Sequence, residues 1–206
     1  MSYTVIGHPK NRALRILWML EELGQDYDFN MFMPRTPEML AANPSGKGPV
    51  LQDGDTLIID SVAAITYLTD KHGQHTFKAG TKERALQDSY LHFALDEMDA
   101  VLWSAAKATF VLPEEHRVEA IKATNRFEFE RSMGWLDARL GDGPWLMGET
   151  FTVPDLIMGH CANWAKNAKF DWGPERVAAY FERVLERPAR AKAIARADEI
   201  VAANAA

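Results

Sequence analysis

Asp60 and Ser61 place a carboxylate and a hydroxyl side by side where a helical apolar pattern, Ala64, Ile65 and Leu68, begins. A helix start exposes unpaired amides and the positive end of the dipole, and so favours anions. The Asp60 acceptor and the Ser61 donor together suit a zwitterion that carries both an ammonium and a carboxylate. Ser61 also reads as a plain N-cap, and the two roles are compatible. Ahead of this pair, Asn43-Pro-Ser-Gly-Lys-Gly-Pro49 leads into an apolar run. Gly48-Pro49 sits where the chain enters that strand, one of the few places a sheet accepts proline. Lys47 reads on its own as a solvated loop lysine.

The elements that must position these residues follow from periodicity. Tyr3–Gly7 reads as a short strand closed by His8 and Pro9. Ala13, Leu17, Leu20 and Leu23 recur at helical steps, with Gly24 as the stop. Tyr27–Met33 reads as a second strand, and Pro49–Gln52 and Thr56–Ile59 flank the hairpin turn Asp53-Gly54. A helix then runs from Asp60-Ser61 to His72-Gly73. The order β-α-β, connecting segment, hairpin, helix specifies a mixed sheet with helices packed on it. The turn after the first strand, the Pro44–Pro49 loop and the Asp60-Ser61 helix start are expected to converge at one end of that sheet. From about Lys78 strand signals vanish, and helical patterns cover 83–111, 114–140, 174–186 and 188–203. Between them Gly141-Asp-Gly-Pro144 is a break, and Thr152-Val-Pro-Asp155 is a capping box in Asp form. Phe151 and Leu156 stand at the staple positions of that helix.

Composition narrows the class. Of the 206 residues, 47% are hydrophobic and 25% charged, an ordinary globular balance. The formal net charge of -6 is spread over both halves, and neither half has the basic surplus that nucleic-acid binding requires. No apolar run is long enough for a membrane span, and no signal peptide is visible. A cytoplasmic protein without nucleic-acid or membrane partners is expected. His72-Gly-Gln-His75 lacks further ligands at metal spacing, so no metal site is expected.

Asn43-Pro-Ser-Gly-Lys-Gly-Pro-Val-Leu51 followed by Asp60-Ser61 resembles the glutathione-binding segment of the cytosolic glutathione transferases. Arg12-Ala-Leu-Arg-Ile-Leu-Trp-Met-Leu-Glu-Glu-Leu-Gly24 resembles their first helix, and Phe151-Thr-Val-Pro-Asp155 the capping box of their sixth. The three stand in the family's order along nearly the whole chain. The resemblance implies an α/β thioredoxin-like first domain with a mixed four-stranded sheet (1–77) and an all-α second domain (82–206). It implies glutathione as substrate or cosubstrate, with Pro49 cis and the Gly48 backbone paired to the cysteinyl part. Asp60 and Ser61 would hold the γ-glutamyl end, and Lys47 with Arg35 the glycine carboxylate. Gly48 departs from the family pattern, which usually has a β-branched or aliphatic residue before that proline.

The family attacks electrophiles with the glutathione thiolate, or uses it to reduce a peroxide or disulfide. Tyr, Ser or Cys after the first strand usually activates the thiol, and His8-Pro-Lys-Asn-Arg12 contains none of them. Asn11 could donate an amide N–H to the thiolate, Arg12 could add positive charge, and His8 could donate a hydrogen bond or accept a proton. Each also has an ordinary structural role: helix cap for Asn11, solvated side chain for Arg12, turn residue for His8. Tyr3 begins the strand, too early to serve. The first domain has no cysteine, so any thiol chemistry must use the ligand's sulfur. Cys161 stands on a core-facing stripe and reads as packing. A small apolar electrophile would lie against the helical domain, where Trp103, Phe110 and Trp164 are candidate wall residues. The resemblance also implies a homodimer through the Glu83–Val111 helix. A non-catalytic glutathione-binding or regulatory protein on the same fold, and a glutathione-using isomerase or dehalogenase, are the competing readings.

Overall fold

The computed structural model describes residues 2–205. The chain forms two compact units, one running to Lys78 and resuming at Glu186, the other Ala79–Leu185.

In the first unit, β1 (Tyr3–Gly7), α1 (Ala13–Leu23), β2 (Tyr27–Met31), α2 (Pro37–Ala42), β3 (Val50–Asp53), β4 (Thr56–Ile59) and α3 (Ser61–His72) follow in order. The sheet order is β2-β1-β3-β4, with β1–β2 parallel and the other pairs antiparallel, which is the mixed four-stranded sheet expected. Val5, Ile6 and Gly7 are all buried in β1, as a central strand covered on both faces requires, whereas β4 lies at an edge and is mostly exposed. Ile16, Leu17, Met19 and Leu20 of α1 and Ala64, Ile65 and Leu68 of α3 are fully buried. The strand expected over Tyr27–Met33 stops at Met31, and the connecting segment holds the extra helix α2. Its signal was present in Thr36-Pro37-Glu38: Thr36 accepts the Met39 N–H at 3.3 Å, Pro37 opens the helix, and Glu38 faces the dipole.

The second unit is helical: α4 (Lys82–Phe93), α5 (Ala100–Ala106), α6 (Ile121–Arg139), α7 (Val153–Asn167) and α8 (Glu175–Leu185). The helix expected over 83–111 is broken by two π-helical stretches, Ala94–Asp99 and Lys107–Val111. That expected from 114 begins only at Ile121, after the 3₁₀ turn Glu114–His116. Asp155 is fully buried, and its Oδ2 accepts the Thr152 N–H at 2.8 Å and hydroxyl at 2.9 Å. Phe151, Leu156 and Cys161 are buried, as their patterns predict. The last helix, α9 (Pro188–Ala203), falls with the first unit. α9 packs on α1, where Arg187 grips Glu22 with both ends of its guanidinium, at 2.5 and 2.6 Å, while Trp18 Nε1 donates to Glu22 at 2.9 Å. Bidentate pairs of this kind fix orientation as well as charge.

At the end of the sheet where β1 begins, Tyr3 Oη pairs with His72 Nε2 at 2.9 Å. Lys71 and the Tyr67 hydroxyl both reach Asp53, and these contacts hold its carboxyl below the ordinary 3.8. A depressed acid contributes stability that is present above its unfolded pKa and is lost as pH falls through the folded one. Wild type is therefore expected to lose stability below about pH 4 more steeply than Asp53→Asn, as read from thermal melts across that range.

Candidate functional site

β1 ends at Gly7, and the register sets Ile6 against Val50, and Val50 against Ile59. The end of β1, the start of β3 and the end of β4 therefore meet at one edge of the sheet. Gly7 has φ +143°, a conformation that strains any side chain, although a Cβ there would make only ordinary contact with Pro49 Cα at 3.5 Å. The Gly48–Pro49 peptide is cis. A Cβ on Gly48 would lie 3.3 Å from Gly7 Cα and 3.3 Å from Met39 Cε, so here two glycines let two backbones approach. A side chain at Gly48 would require these neighbours to give by a few tenths of an ångström. Gly48 N–H and C=O have no backbone partner among the described residues, which leaves an extended edge able to pair with a peptide-like ligand.

The loop before Gly48 is held by Asn43, which is buried at 4% exposure. Its Nδ2 donates to Lys47 O at 2.5 Å, its Oδ1 accepts Ser45 N–H at 3.0 Å, and its backbone O accepts Gly46 N–H at 2.8 Å. Asn43 thus spends its side chain on the loop, a positioning role that sequence reasoning did not single out. Arg35, at φ +69°, donates its backbone N–H to Gly46 O at 2.9 Å. Arg35 and Lys47 are both exposed and flank the same loop, so two cations border it.

Asp60, at φ +82°, is the true cap of α3: Oδ1 accepts Val62 N–H at 2.7 Å and Ala63 N–H at 3.1 Å. The capping role expected as an alternative for Ser61 therefore falls to Asp60. Ser61 is buried at 1% exposure, and its Oγ accepts from Arg15 Nη1 at 3.3 Å. Arg15, itself 1% exposed, was read in the sequence only as part of a helix pattern; its signal was a lone cation among the buried positions of α1. A buried guanidinium beside Ser61 and the amide end of α3 make this corner electropositive.

The turn after β1 carries His8, Asn11 and Arg12. Lys10 N–H donates to His8 Nδ1 at 3.3 Å, which places the hydrogen of the neutral ring on Nε2. Asn11 Oδ1 accepts Ala13 N–H at 2.9 Å, closing a turn just ahead of α1 and leaving Nδ2 as the donor end of the amide. Arg12, not Asn11 as expected, is the N-cap residue of α1. Tyr3 lies at the opposite end of β1 and is excluded from this edge.

In the helical unit, Phe110 and Trp164 line a cavity of about 280 Å³, and Trp103 stands edge-on to Trp164 at 6.5 Å between centroids.

Among known proteins, the model of the glutathione S-transferase N-terminal domain matches residues 12–76 and that of the C-terminal domain matches residues 83–183. The chain belongs to the glutathione S-transferase family. Glutathione S-transferase 4 of Zea mays is 29% identical over 191 residues, covering 86% of this chain and 85% of its own. A glutathione transferase of Phanerochaete chrysosporium, solved in complex with oxidized glutathione, superposes with TM-score 0.78 at 25% identity, over 97% of each chain. A second from that organism, with oxidized glutathione, reaches TM-score 0.84 at 20% identity over 98% and 97% of the two chains, a likeness of fold. The transferase model begins at Arg12, so the matched region includes Gly48-Pro49 and Asp60-Ser61 but stops short of His8 and Asn11. No helix among the described residues is long and apolar enough to cross a membrane.

Proposed function

We propose that this transferase binds glutathione along the edge formed by Gly7, Gly48-Pro49 and Asp60-Ser61, and activates its thiol from the turn after β1. The Gly48 backbone pairs with the cysteinyl part. Asp60 meets the γ-glutamyl ammonium through its second oxygen, while Ser61 takes its carboxylate. Lys47 and Arg35 meet the glycine carboxylate. The observation that carries the catalytic half is the division of labour in Asn11: the oxygen of its amide accepts from the start of the helix, which leaves the donor end for a ligand. Asn11 Nδ2–H and His8 Nε2–H then stabilise the thiolate, Arg12 and the α1 dipole add positive potential, and the thiol proton leaves to water. The thiolate sulfur forms the bond to an electrophilic carbon while the leaving group departs with the bonding pair. A peroxide or disulfide is attacked at oxygen or sulfur by the same thiolate, and the O–O or S–S bond breaks to release hydroxide, an alkoxide or a thiolate. The protein acts in the cytoplasm as a detoxifying homodimer, paired through the helices of 83–111, and needs no metal.

Asn11→Ala is expected to lower kcat about 100-fold with little change in glutathione affinity, because one donor to a developing anion is lost. Asn11→Asp, which still accepts the Ala13 N–H, should be as slow and should raise the pKa of bound glutathione, read from the thiolate absorbance as pH is raised. Unchanged kcat in both variants sinks the assignment. The absence of Tyr, Ser and Cys from this turn favours a second reading, a glutathione-binding protein without catalysis. Wild-type turnover of any member of an electrophile and peroxide panel removes it.

A further inference from the structure

Gly141-Asp-Gly-Pro144, the break between α6 and α7, is anchored at both ends by arginines of α8. Arg176 donates from Nη2 to Leu140 O at 2.9 Å and from Nη1 to Asp137 O at 3.3 Å, carbonyls left without helical partners at the end of α6. Arg183 donates from Nε to Pro144 O at 3.0 Å. Gly143 packs so closely on Gly148 that a Cβ would come within 2.7 Å of Gly148 Cα, so the loop is held at its middle as well. Between this loop and α8 lies a second cavity of about 280 Å³, lined by Gly141, Asp142, Gly143, Arg176, Tyr180 and Arg183. Anchoring the loop uses two N–H donors of Arg176 and one of Arg183, and most of each fork is left over. The backbone N–H groups of Gly141, Asp142 and Gly143 also have no partner among the described residues. Arg176 has Asp137 Oδ1 at 3.7 Å, while Arg183 pairs with no carboxylate among the described residues. Tyr180 spends its hydroxyl on Asp155, and Asp142, the one carboxylate on the lining, pairs with neither arginine. A lining rich in unspent donors, with two guanidinium groups against one carboxylate, suits an acceptor-rich anion.

We propose that this cavity is a binding site for a small phosphate monoester, its phosphate held between the forks of Arg176 and Arg183 and the loop amides. At pH 7 such a group carries a charge of about -1.5 to -2 and three acceptor oxygens, more than a carboxylate offers to the same donors. The formal net charge of -6 repels a polyanionic surface, so the occupant is a small soluble ester and not a nucleic acid or an anionic membrane. Binding at this site does not depend on glutathione. The test is calorimetry on the full chain, without glutathione and at fixed ionic strength, using glycerol 3-phosphate, glycerate and glycerol. Glycerol 3-phosphate should bind saturably with Kd below about 10 mM, glycerate about tenfold more weakly, and glycerol not at all. Arg183→Gln should weaken glycerol 3-phosphate about tenfold, and Arg183→Lys, which keeps the charge without the fork, should weaken it less. Asp142→Asn removes the negative charge of the lining without touching a bond that anchors the loop, and should tighten binding about threefold. If Arg183→Gln disturbs the loop at Pro144, as a melting curve would show, the Asp142→Asn variant and the glycerate comparison decide. Absence of saturable binding, or glycerate binding as tightly as the phosphate, overturns the proposal. So does an affinity that ignores both Arg183→Gln and Asp142→Asn. Glutathione titrated into the same samples separates the two assignments: phosphate binding without glutathione binding leaves this site standing and removes the preceding one.

Discussion

Asp155→Ala is expected to destabilise the protein by about 3–5 kcal/mol and to lower its melting temperature by on the order of 10 °C. Four donors converge on this buried carboxylate. Oδ1 accepts Leu146 N–H and the Tyr180 hydroxyl, each at 2.9 Å, and Oδ2 accepts the Thr152 N–H and hydroxyl. Removing it leaves those donors dry and without partners, and each unsatisfied buried group costs about 1–3 kcal/mol. The side chain also ties together the segment before α7, the start of α7 and α8, so the loss spreads across the helical unit. Tyr180→Phe should cost less, about 1–2 kcal/mol, since only one bond goes and no cavity forms. Burial pushes the Asp155 carboxyl above its ordinary 3.8, against the pull of the four donors. An acid raised in the folded state favours folding most at low pH, and that contribution falls as pH rises from the unfolded value through the folded one. Asp155→Asn should therefore lose less stability than wild type as pH is raised from about 4. Thermal melts of the three variants check this, and a loss under about 1 kcal/mol in Asp155→Ala would show that the network is dispensable.

Ser61→Ala combined with Asp60→Asn is expected to weaken glutathione binding by about 100-fold or more, which places it beyond millimolar titration. Hydrogen bonds to charged groups are worth about 1.5–3 kcal/mol each, and this pair removes one to the γ-glutamyl carboxylate and the ion pair to its ammonium. The choice of asparagine at position 60 follows from the backbone. With φ at +82° and two amides capped, alanine there would add strain and lose the cap, confusing folding with binding. Asparagine tolerates that conformation and still caps. At Ser61 the deletion removes an acceptor from Arg15, so a modest loss of stability should accompany the loss of binding. Calorimetry with glutathione, beside a melting curve for each variant, separates the two effects. Wild-type affinity in the double variant means that the γ-glutamyl end lies elsewhere.

Much of this edge was legible in the residues because its chemistry is local. Asp60-Ser61 at the start of an apolar helical pattern, Gly48-Pro49 at a strand entrance and Asp155 three residues after Thr152 are each short-range arrangements. The connecting segment was misread for the converse reason: α2 is only six residues long, and its cap and proline signals are weaker than the apolar periodicity that marks longer helices. The π-helical stretches were equally invisible, because a single added residue in a turn leaves the hydrophobic pattern nearly unchanged.

The sequence alone determined most of the element types, their order and the family, and pointed to the segment proposed for glutathione, since periodicity, caps and turn residues act over a few positions. Tertiary structure decided what each side chain is free to do. Asp60 rather than Ser61 caps α3, since the positive φ aims its carboxylate at the helix amides. A buried Arg15 reaches Ser61 across 46 positions of chain. α9 closes against α1 after the helical unit has intervened, and Gly48 meets Gly7 only because β3 pairs with β1. These are contacts between residues distant in sequence, and their geometry is set by packing that no local pattern encodes.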